Sequence, residues 1–422
     1  METQDFEAFE GALRRRALGI AAQMAAERFN ADHSDRSGPT IACACGRPAQ
    51  YASRRPKTFI TLMGPMRLER AYYYCPACRG GSCPRDRALD LQDTSLSPAT
   101  TRLVGMTAAE VSFAKAGELL AALAGVEVEA RQVERCAEAL GREIARDECA
   151  VREQTAPAPA PTMYLGLDGT GVPVRPTEVA GRHGKQPDGS AKTREVKLAT
   201  VWTAEGRDPE GRPCRDPGSV SYNAAVESAA SRDTDPQPAA FPQRAQREAQ
   251  RRGFVTAARQ VVIGDGAPWI WNSADEQFPD AIQIIDIYHA KQHLCDVAKV
   301  IHGAGTEFAH QWAQDRKAEL DAGRLRDLVA ALRTHADTPE ARQCIQYIVG
   351  NRHRMRYPQF RARGLCVSSG VVEAGCKQIG ARLKRAGMRW TVAGANAILA
   401  LRCCILSGRF EDFWERRAAK AA

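Results

Sequence analysis

Two apolar runs in the second half of this 422-residue chain end in the same way. MYLGL is followed by Asp168-Gly169, and QVVIG is followed by Asp265-Gly266. Short apolar runs bounded by turn formers are typical of strands buried on both faces, and such strands belong to sheets covered by helices. An acid followed by glycine at a strand end holds a carboxylate at a fixed point and leaves room beside it for a ligand or another backbone. One Asp in that setting is most often a turn former or helix cap. Two of the same construction in one domain point to a site.

The rest of the chain is organised around that half. VREQTAPAPAPT, residues 151–162, has the composition of a linker. Before it come an Ala-rich N-terminal helix within 1–37, a Cys-containing β-rich segment over 38–90, and a helical segment over 91–150. KTFITLMGPMRLERAYYYC predicts a hairpin turning at Met63-Gly64-Pro65-Met66. After the linker, MYLGLDGTGVPVRP predicts two short strands and REVKLATVWTAE a third. Residues 204–240, rich in Gly, Pro, Asp and Ser, predict a long surface excursion, and a basic helix follows at 241–257. RQVVIGDG and AIQIIDIYH are two further buried strands. Residues 290–365 read as helical, and 368–408 as two helices broken near Gly387. This order predicts an α/β catalytic core over 163–289 and 366–410, with 290–365 as a helical insertion.

Charge narrows the class of partner. The chain has 59 basic and 50 acidic residues, a net charge of +9. The excess is concentrated: residues 351–410 hold twelve Lys and Arg and a single acid, Glu373. An extended basic surface of this kind suits nucleic acid. The acidic N-terminus METQDFEAFE lacks the apolar core of a signal peptide, and no apolar run is long enough to span a bilayer. The expected location is the cytoplasm, in association with the nucleoid, with no membrane partner. The fourteen Cys are then expected as thiols or metal ligands, with Cys344, Cys403 and Cys404 buried in apolar helices.

Cys43-Ala-Cys45 and Cys75-Pro-Ala-Cys78 flank the expected hairpin. Two close Cys pairs brought together by a hairpin form a four-thiolate Zn²⁺ site, structural because no coordination position is left open. Cys83 is a fifth candidate. Further on, FAKAGELLAALAGVEVEARQVERCAEALG, residues 113–141, reads as helix, turn, helix. Leu119, Leu120 and Leu123 form an apolar stripe, Gly125 closes the first helix, and Val133, Cys136, Ala137 and Leu140 recur at helical spacing in the second. That pattern fits a helix-turn-helix with Arg131, Gln132 and Arg135 facing the major groove; a plain packed αα-hairpin gives the same pattern.

Ser368 and Ser369 are positioned to cap a helix starting near Gly370, which puts Glu373 on its first turn with Lys377 and Lys384 along the same face. Packed across the sheet, that face would bring Glu373 to Asp168 and Asp265. Three carboxylates in one cleft repel unless cations neutralise them, and the suitable cations are hard ions such as Mg²⁺ or Mn²⁺. Two such ions about 4 Å apart can activate a water or a 3′-OH and stabilise the leaving oxygen of a phosphodiester. Lys377, Arg382, Lys384 and Arg385 would hold phosphates. Trp390, beside Arg389, would stack on an unpaired base or pack in the core.

YLGLDGTGVPV, VVIGDGAPWIW, IIDIYHAKQHL, SSGVVEAGCKQIGARLK and GMRWTVAGANAILALR, together with CACG…YYYCPAC, resemble the DDE transposases of bacterial insertion sequences. The resemblance is closest to the ISKra-type family, with Mutator-like transposases as distant relatives. It implies an RNase H-like catalytic domain with a helical insertion, preceded by a zinc ribbon and a helix-turn-helix domain. It implies that Asp168, Asp265 and Glu373 bind two Mg²⁺ or Mn²⁺ ions, and that the protein is an endonuclease and strand transferase. Asp286-Ile-Tyr-His289 resembles the D-x-x-H motif of the Mutator-like relatives, which implies a supporting role for His289; His293 and Lys291 are weaker candidates. The implied partners are terminal inverted repeats, target DNA and further copies of the chain in a dimer or larger synaptic complex. An RNase H-like nuclease without transposition, or a silent DNA-binding derivative, are the alternatives.

Overall fold

The computed structural model describes residues 5–150, 159–184, 186–229 and 239–421. Most of the expected linker, 151–158, lies outside the described residues. The chain divides into two compact units, one running to Ala145 and including Arg409 onward, the other from Arg146 to Gly408. The C-terminal helix, Phe410–Ala421, thus belongs to the first unit, where Arg417 Nε donates to the Glu143 carboxylate at 3.1 Å.

In the first unit, α1 (Phe6–Ala31) starts at Asp5, whose side chain accepts from Glu7 N. Then β1 (Thr40–Ala42), β2 (Pro48–Thr61), β3 (Gly64–Tyr74) and β4 (Gly81–Ser82) form an antiparallel sheet in that order. The hairpin turns at Leu62-Met63, ahead of the expected position. The Thr61 hydroxyl fixes this turn: it accepts from Met63 N at 3.1 Å and donates to Gly64 O at 2.7 Å. Gly64 takes φ +113, open to glycine, so the Gly-Pro pair opens β3 rather than making the turn.

Helices α2 (Pro84–Ala88), α3 (Pro98–Glu110), α4 (Phe113–Leu119) and α5 (Ala130–Ala150) follow. A π turn, Leu120–Ala124, extends α4, and Gly125 closes it at φ +69 as expected. The wider turn shifts the side-chain register. Leu120 is buried, whereas Leu123 is 74% exposed and drops out of the expected stripe. In α5, Val133, Ala137 and Leu140 are buried at the expected spacing.

The second unit is mixed α/β. Its strands are β5 (Thr162–Pro173), β6 (Thr193–Thr203), a small ribbon of β7 (Gly206–Arg207) and β8 (Pro213–Cys214), β9 (Ser221–Ala225), β10 (Arg259–Gly264) and β11 (Ile282–Ile285). Helix α6 (Ala240–Arg251) precedes β10, and α7 (Pro268–Gln277) joins β10 to β11. After β11 come α8 (Ile287–His302), α9 (Glu307–Asp321), α10 (Leu325–Arg333), α11 (Pro339–Asn351), α12 (Tyr357–Ala362), α13 (Gly370–Leu383) and α14 (Val392–Leu406). The main sheet runs β11-β10-β5-β6-β9, with β10 parallel to β5 and β11 parallel to β10. The edges between β5, β6 and β9 are antiparallel.

Two sequence expectations are corrected here. MYLGLDGTGVPV is one twelve-residue strand, not two, because β6 pairs with it from Met163 to Pro173. The Gly/Pro-rich excursion contains β9, all five residues of which are buried at the sheet edge. The helices of 290–365 pack into the same core: Leu320, Leu328, Leu332, Ile348, Tyr357 and Phe360 share one apolar cluster with the strands. Helix α14 is a core helix in which Cys403 and Cys404 are 1% exposed. No single helix among the described residues is long and apolar enough to cross a membrane.

Candidate metal centres

The first centre is built by turns. Cys43 follows β1, and its turn is closed by Gly46 N to Cys43 O and Cys43 N to Arg47 O, both 2.9 Å. Cys75 follows β3 and donates its N–H to Gly80 O at 2.8 Å. The hairpin brings these turns together: Cys43 Sγ lies 3.6 Å from Cys78 Sγ, and Cys45 Sγ 3.7 Å from Cys75 Sγ. All four sulfurs lie within 4.8 Å of one another. A tetrahedron with metal–sulfur bonds of ~2.3 Å has edges of roughly 3.8 Å, so the set fits a structural metal such as zinc. The backbone N–H of Cys78 draws the Cys75 thiol down to about 7, favouring the thiolate a metal takes. Cys83 stands apart, at the N-cap of α2, with its thiol raised by burial.

The second centre is built by the sheet. Strand β10 pairs with β5 only from Arg259↔Thr162 to Ile263↔Gly166 and ends at Gly264. β5 continues past it, so Asp168 stands inside a strand, opposite Leu198 of β6, where the parallel neighbour has departed. Asp265 is the next residue beyond the end of β10. Parallel strands that part in this way leave a crevice at their carboxyl ends.

Helix α13 covers the same face. A Cβ on Gly166 would stand 2.9 Å from the Val372 Cβ and 2.9 Å from the Trp202 ring, so only glycine lets helix and strand approach this closely. Val372 precedes Glu373 by one residue, and Gly166 precedes Asp168 by two on the same face of β5. The Asp168 carboxylate accepts from Gly169 N at 2.6 Å and from the Cys376 thiol, one turn after Glu373. Burial pushes the Asp168 carboxyl above the ordinary carboxylate range, and the charges of Asp265 and Glu373 add to that push. Two acids from distant segments, Asp265 and Glu373, are thus felt at Asp168, behind burial and its two hydrogen bonds. The three acids do not close into a compact cluster: the four cysteines are the only such group within 4.8 Å among the described residues.

Sequence reasoning named Asp286 only as the head of the D-x-x-H motif and missed its role, and those of Ser369 and Tyr347, in supporting this centre. Asp286 is 1% exposed. Its Oδ1 accepts from Tyr288 N at 2.6 Å and His289 N at 2.9 Å, which caps α8. Its Oδ2 accepts from both the backbone N–H and the hydroxyl of Ser369. The Asp286 N–H donates to Gly264 O at 2.8 Å. One buried residue thus ties the end of β10, the start of α8 and the start of α13. α13 begins at Gly370 as expected, but the Ser369 hydroxyl serves Asp286 and caps no helical N–H. Tyr347 of α11 donates to Asp265 O at 2.8 Å, and a Cβ on Gly266, at φ +107, would lie 2.5 Å from its ring. The legible clue to Asp286 was a third apolar run ending in Asp; Cys376 and Tyr347 left no such signal.

His289 is exposed on the first turn of α8, its ring 5.2 Å from that of His293. His293 packs 4.4 Å from the Tyr347 ring; burial lowers its affinity for a proton, as does His289, while Asp296 and Asp265 oppose that. Lys291 pairs with Asp321 at 2.6 Å, bridging α8 to α9.

The expected DNA contacts divide. Lys377, Lys384, Arg385 and Arg389 are exposed, with Lys384 Nζ bonded to the Thr170 hydroxyl. Arg382 is fully buried, with its guanidinium 5.2 Å from the Trp390 ring, so it is no phosphate clamp. Trp390 is 6% exposed and donates to Leu383 O at 2.9 Å, which removes it as a base-stacking platform. Arg131 and Arg135 are exposed on α5. Gln132 is half-buried and donates to Ser95 Oγ at 2.9 Å, so it does not face a groove. No protein-family model matches the chain, and no curated protein matches it.

Proposed function

We propose that the protein is a DNA transposase, in which Asp168, Asp265 and Glu373 hold two Mg²⁺ or Mn²⁺ ions. The observation that carries this reading is geometric: Asp265 stands at the end of β10 beside Asp168 of β5, and α13, which bears Glu373, packs onto β5 where Gly166 meets Val372. A sheet ordered β11-β10-β5-β6-β9, with its first strand central, supports an RNase H-like core. The ions would polarise a phosphodiester and activate the attacking oxygen, first a water at the element's end and then the freed 3′-OH on target DNA. Of this chain's own groups, the three carboxylates would hold the ions, Asp286 would set the mutual position of their segments, and exposed Lys377, Arg385 and Arg389 would bind phosphates. The thiolate centre and the α4–α5 pair would recognise inverted repeats through Arg131 and Arg135. Joining two ends calls for at least two copies.

The test uses the full chain and DNA carrying the inverted repeats that flank its reading frame. Asp168→Asn, Asp265→Asn and Glu373→Gln should each drop strand cleavage below detection while retaining DNA binding. Normal cleavage by any one of them sinks the site. Cleavage without strand transfer by the unaltered protein would favour a plain nuclease over a transposase.

A further inference from the structure

Strand β6 and the start of α7 border a cavity of about 580 Å³ that the three acids do not line. Pockets that hold small ligands run to roughly 300–1,000 Å³, so the space is large enough for one. Arg182, Arg194, Glu195, Lys197, Glu227 and Trp269 line it. Trp269 is half-buried, with Phe241 nearly perpendicular to it at 5.6 Å between ring centres and Lys197 Nζ 5.5 Å from the indole centre. The two acids are already engaged: Glu195 pairs with Lys197 at 2.8 Å, and Glu227 with Arg244 at 2.5 Å. Arg194 donates to a neutral group, the Glu178 carbonyl, at 3.3 Å. Burial and the nearby Arg182 charge both disfavour its charged form. Two guanidiniums that repel in this way favour an anion between them. An aromatic ring beside surplus positive charge matches the two halves of a nucleotide, its base and its phosphate.

The place of the cavity in the sheet says where that nucleotide comes from. Lys197 pairs with Gly169, the residue after Asp168, and Trp269 follows Asp265 by four residues. Successive residues of a strand point to opposite faces, so the cavity lies across the same strand end from the Asp168 carboxylate. Gly169 leaves that face clear, since a Cβ on it would collide with the Glu195 carboxylate. A nucleic-acid strand crossing this edge can therefore reach both faces. A base stacked and paired inside a duplex cannot lay its face on an indole in a recess, whereas an unpaired base can.

We infer that this cavity takes one unpaired nucleotide of a nucleic-acid strand, with its base against Trp269 and its phosphate at Arg194 and Arg182. The inference rests on the nucleic-acid reading of the second unit but not on cleavage. Trp269 thereby holds the stacking role that the buried Trp390 cannot have.

The test is fluorescence anisotropy of a short labelled single strand on the full, zinc-loaded chain without added divalent ions. A duplex of the same sequence and dAMP are the other two probes. The unaltered protein should bind the single strand much more tightly than dAMP. Trp269→Ala should weaken single-strand binding about tenfold, the loss of one stacked base, and leave duplex binding unchanged. Trp269→Phe should restore most of it. Arg194→Gln leaves the Trp269–Phe241 packing in place and should reduce the slope of log affinity against log salt by about 0.7. Single-strand binding indifferent to Trp269→Ala, or a salt slope indifferent to Arg194→Gln, would overturn the proposal. So would dAMP bound as tightly as the strand, which would make the cavity a free-nucleotide pocket. Trp269-dependent single-strand binding in a protein that never cleaves DNA would uphold the cavity and sink the transposase. Cleavage that needs Asp168, beside single-strand binding indifferent to Trp269, would do the opposite.

Discussion

The four cysteines and the three acids are assembled in opposite ways. The thiols come from two turns at the ends of one hairpin, and their sulfurs already stand 3.6 and 3.7 Å apart in cross-pairs. The acids come from β5, the end of β10 and the first turn of α13, and they do not gather within 4.8 Å. Thiols can share protons and approach as neutral groups, so a closed site can be preformed. Carboxylates repel one another as anions, so a site built from them stays open, and under the proposed function its cations would close it. Under the proposed function, the difference would suit a metal that stabilises a fold against metals that come with a polyanionic substrate.

The largest effect should come from breaking the preformed centre. Cys75→Ser should reduce bound zinc from about one ion per chain to none and unfold the hairpin region, since structural zinc contributes on the order of 10 kcal/mol. Elemental analysis and hydrogen exchange over 40–82 would show it. Full zinc content in that variant would remove the thiolate site.

The second centre should break more gradually, through its supports. Asp286→Ala strips four hydrogen bonds from a buried position and should lower unfolding free energy by about 3 kcal/mol. It should also weaken divalent-ion binding, because the segments of Asp265 and Glu373 lose their common tie. A variant that melts like the unaltered protein would deny Asp286 that role.

The smallest effect concerns charge alone. The raised Asp168 carboxyl means that the folded, metal-free protein holds this proton more tightly than the unfolded chain does. Its stabilising contribution is therefore present at low pH and lost as pH rises through the folded value. Metal-free Asp168→Asn should accordingly equal or slightly exceed the unaltered protein in melting temperature at pH 7, with the advantage vanishing near pH 4. The reverse order at pH 7 would show that Asp168 is stabilised as an anion.

How much of this was legible in the sequence depends on how local the cause was. Asp265 at a strand end, Gly125 closing a helix and the break near Gly387 depend on neighbouring residues, and they appear where expected. Asp168 was recognised, but its setting was not. Whether a strand ends or continues past Gly169 is decided by β6, which begins 24 residues further on at Thr193. Strand β9 was hidden because its burial comes from pairing with β6 and not from its own composition. Arg382 and Trp390 look like ligand-binding residues in a basic stretch, yet the pair is buried together. Sequence spacing puts a charge on a helix; only packing decides which side faces solvent.

The most direct test of the second centre is Mn²⁺ binding to the full, zinc-loaded chain, followed by electron paramagnetic resonance at pH 7. The unaltered protein should take up two Mn²⁺ ions per chain with the spin coupling of a close pair, and Asp168→Asn should lose both the coupling and at least one ion. Identical Mn²⁺ uptake and spectra in the two proteins would contradict the assignment of Asp168, Asp265 and Glu373 as a shared metal site.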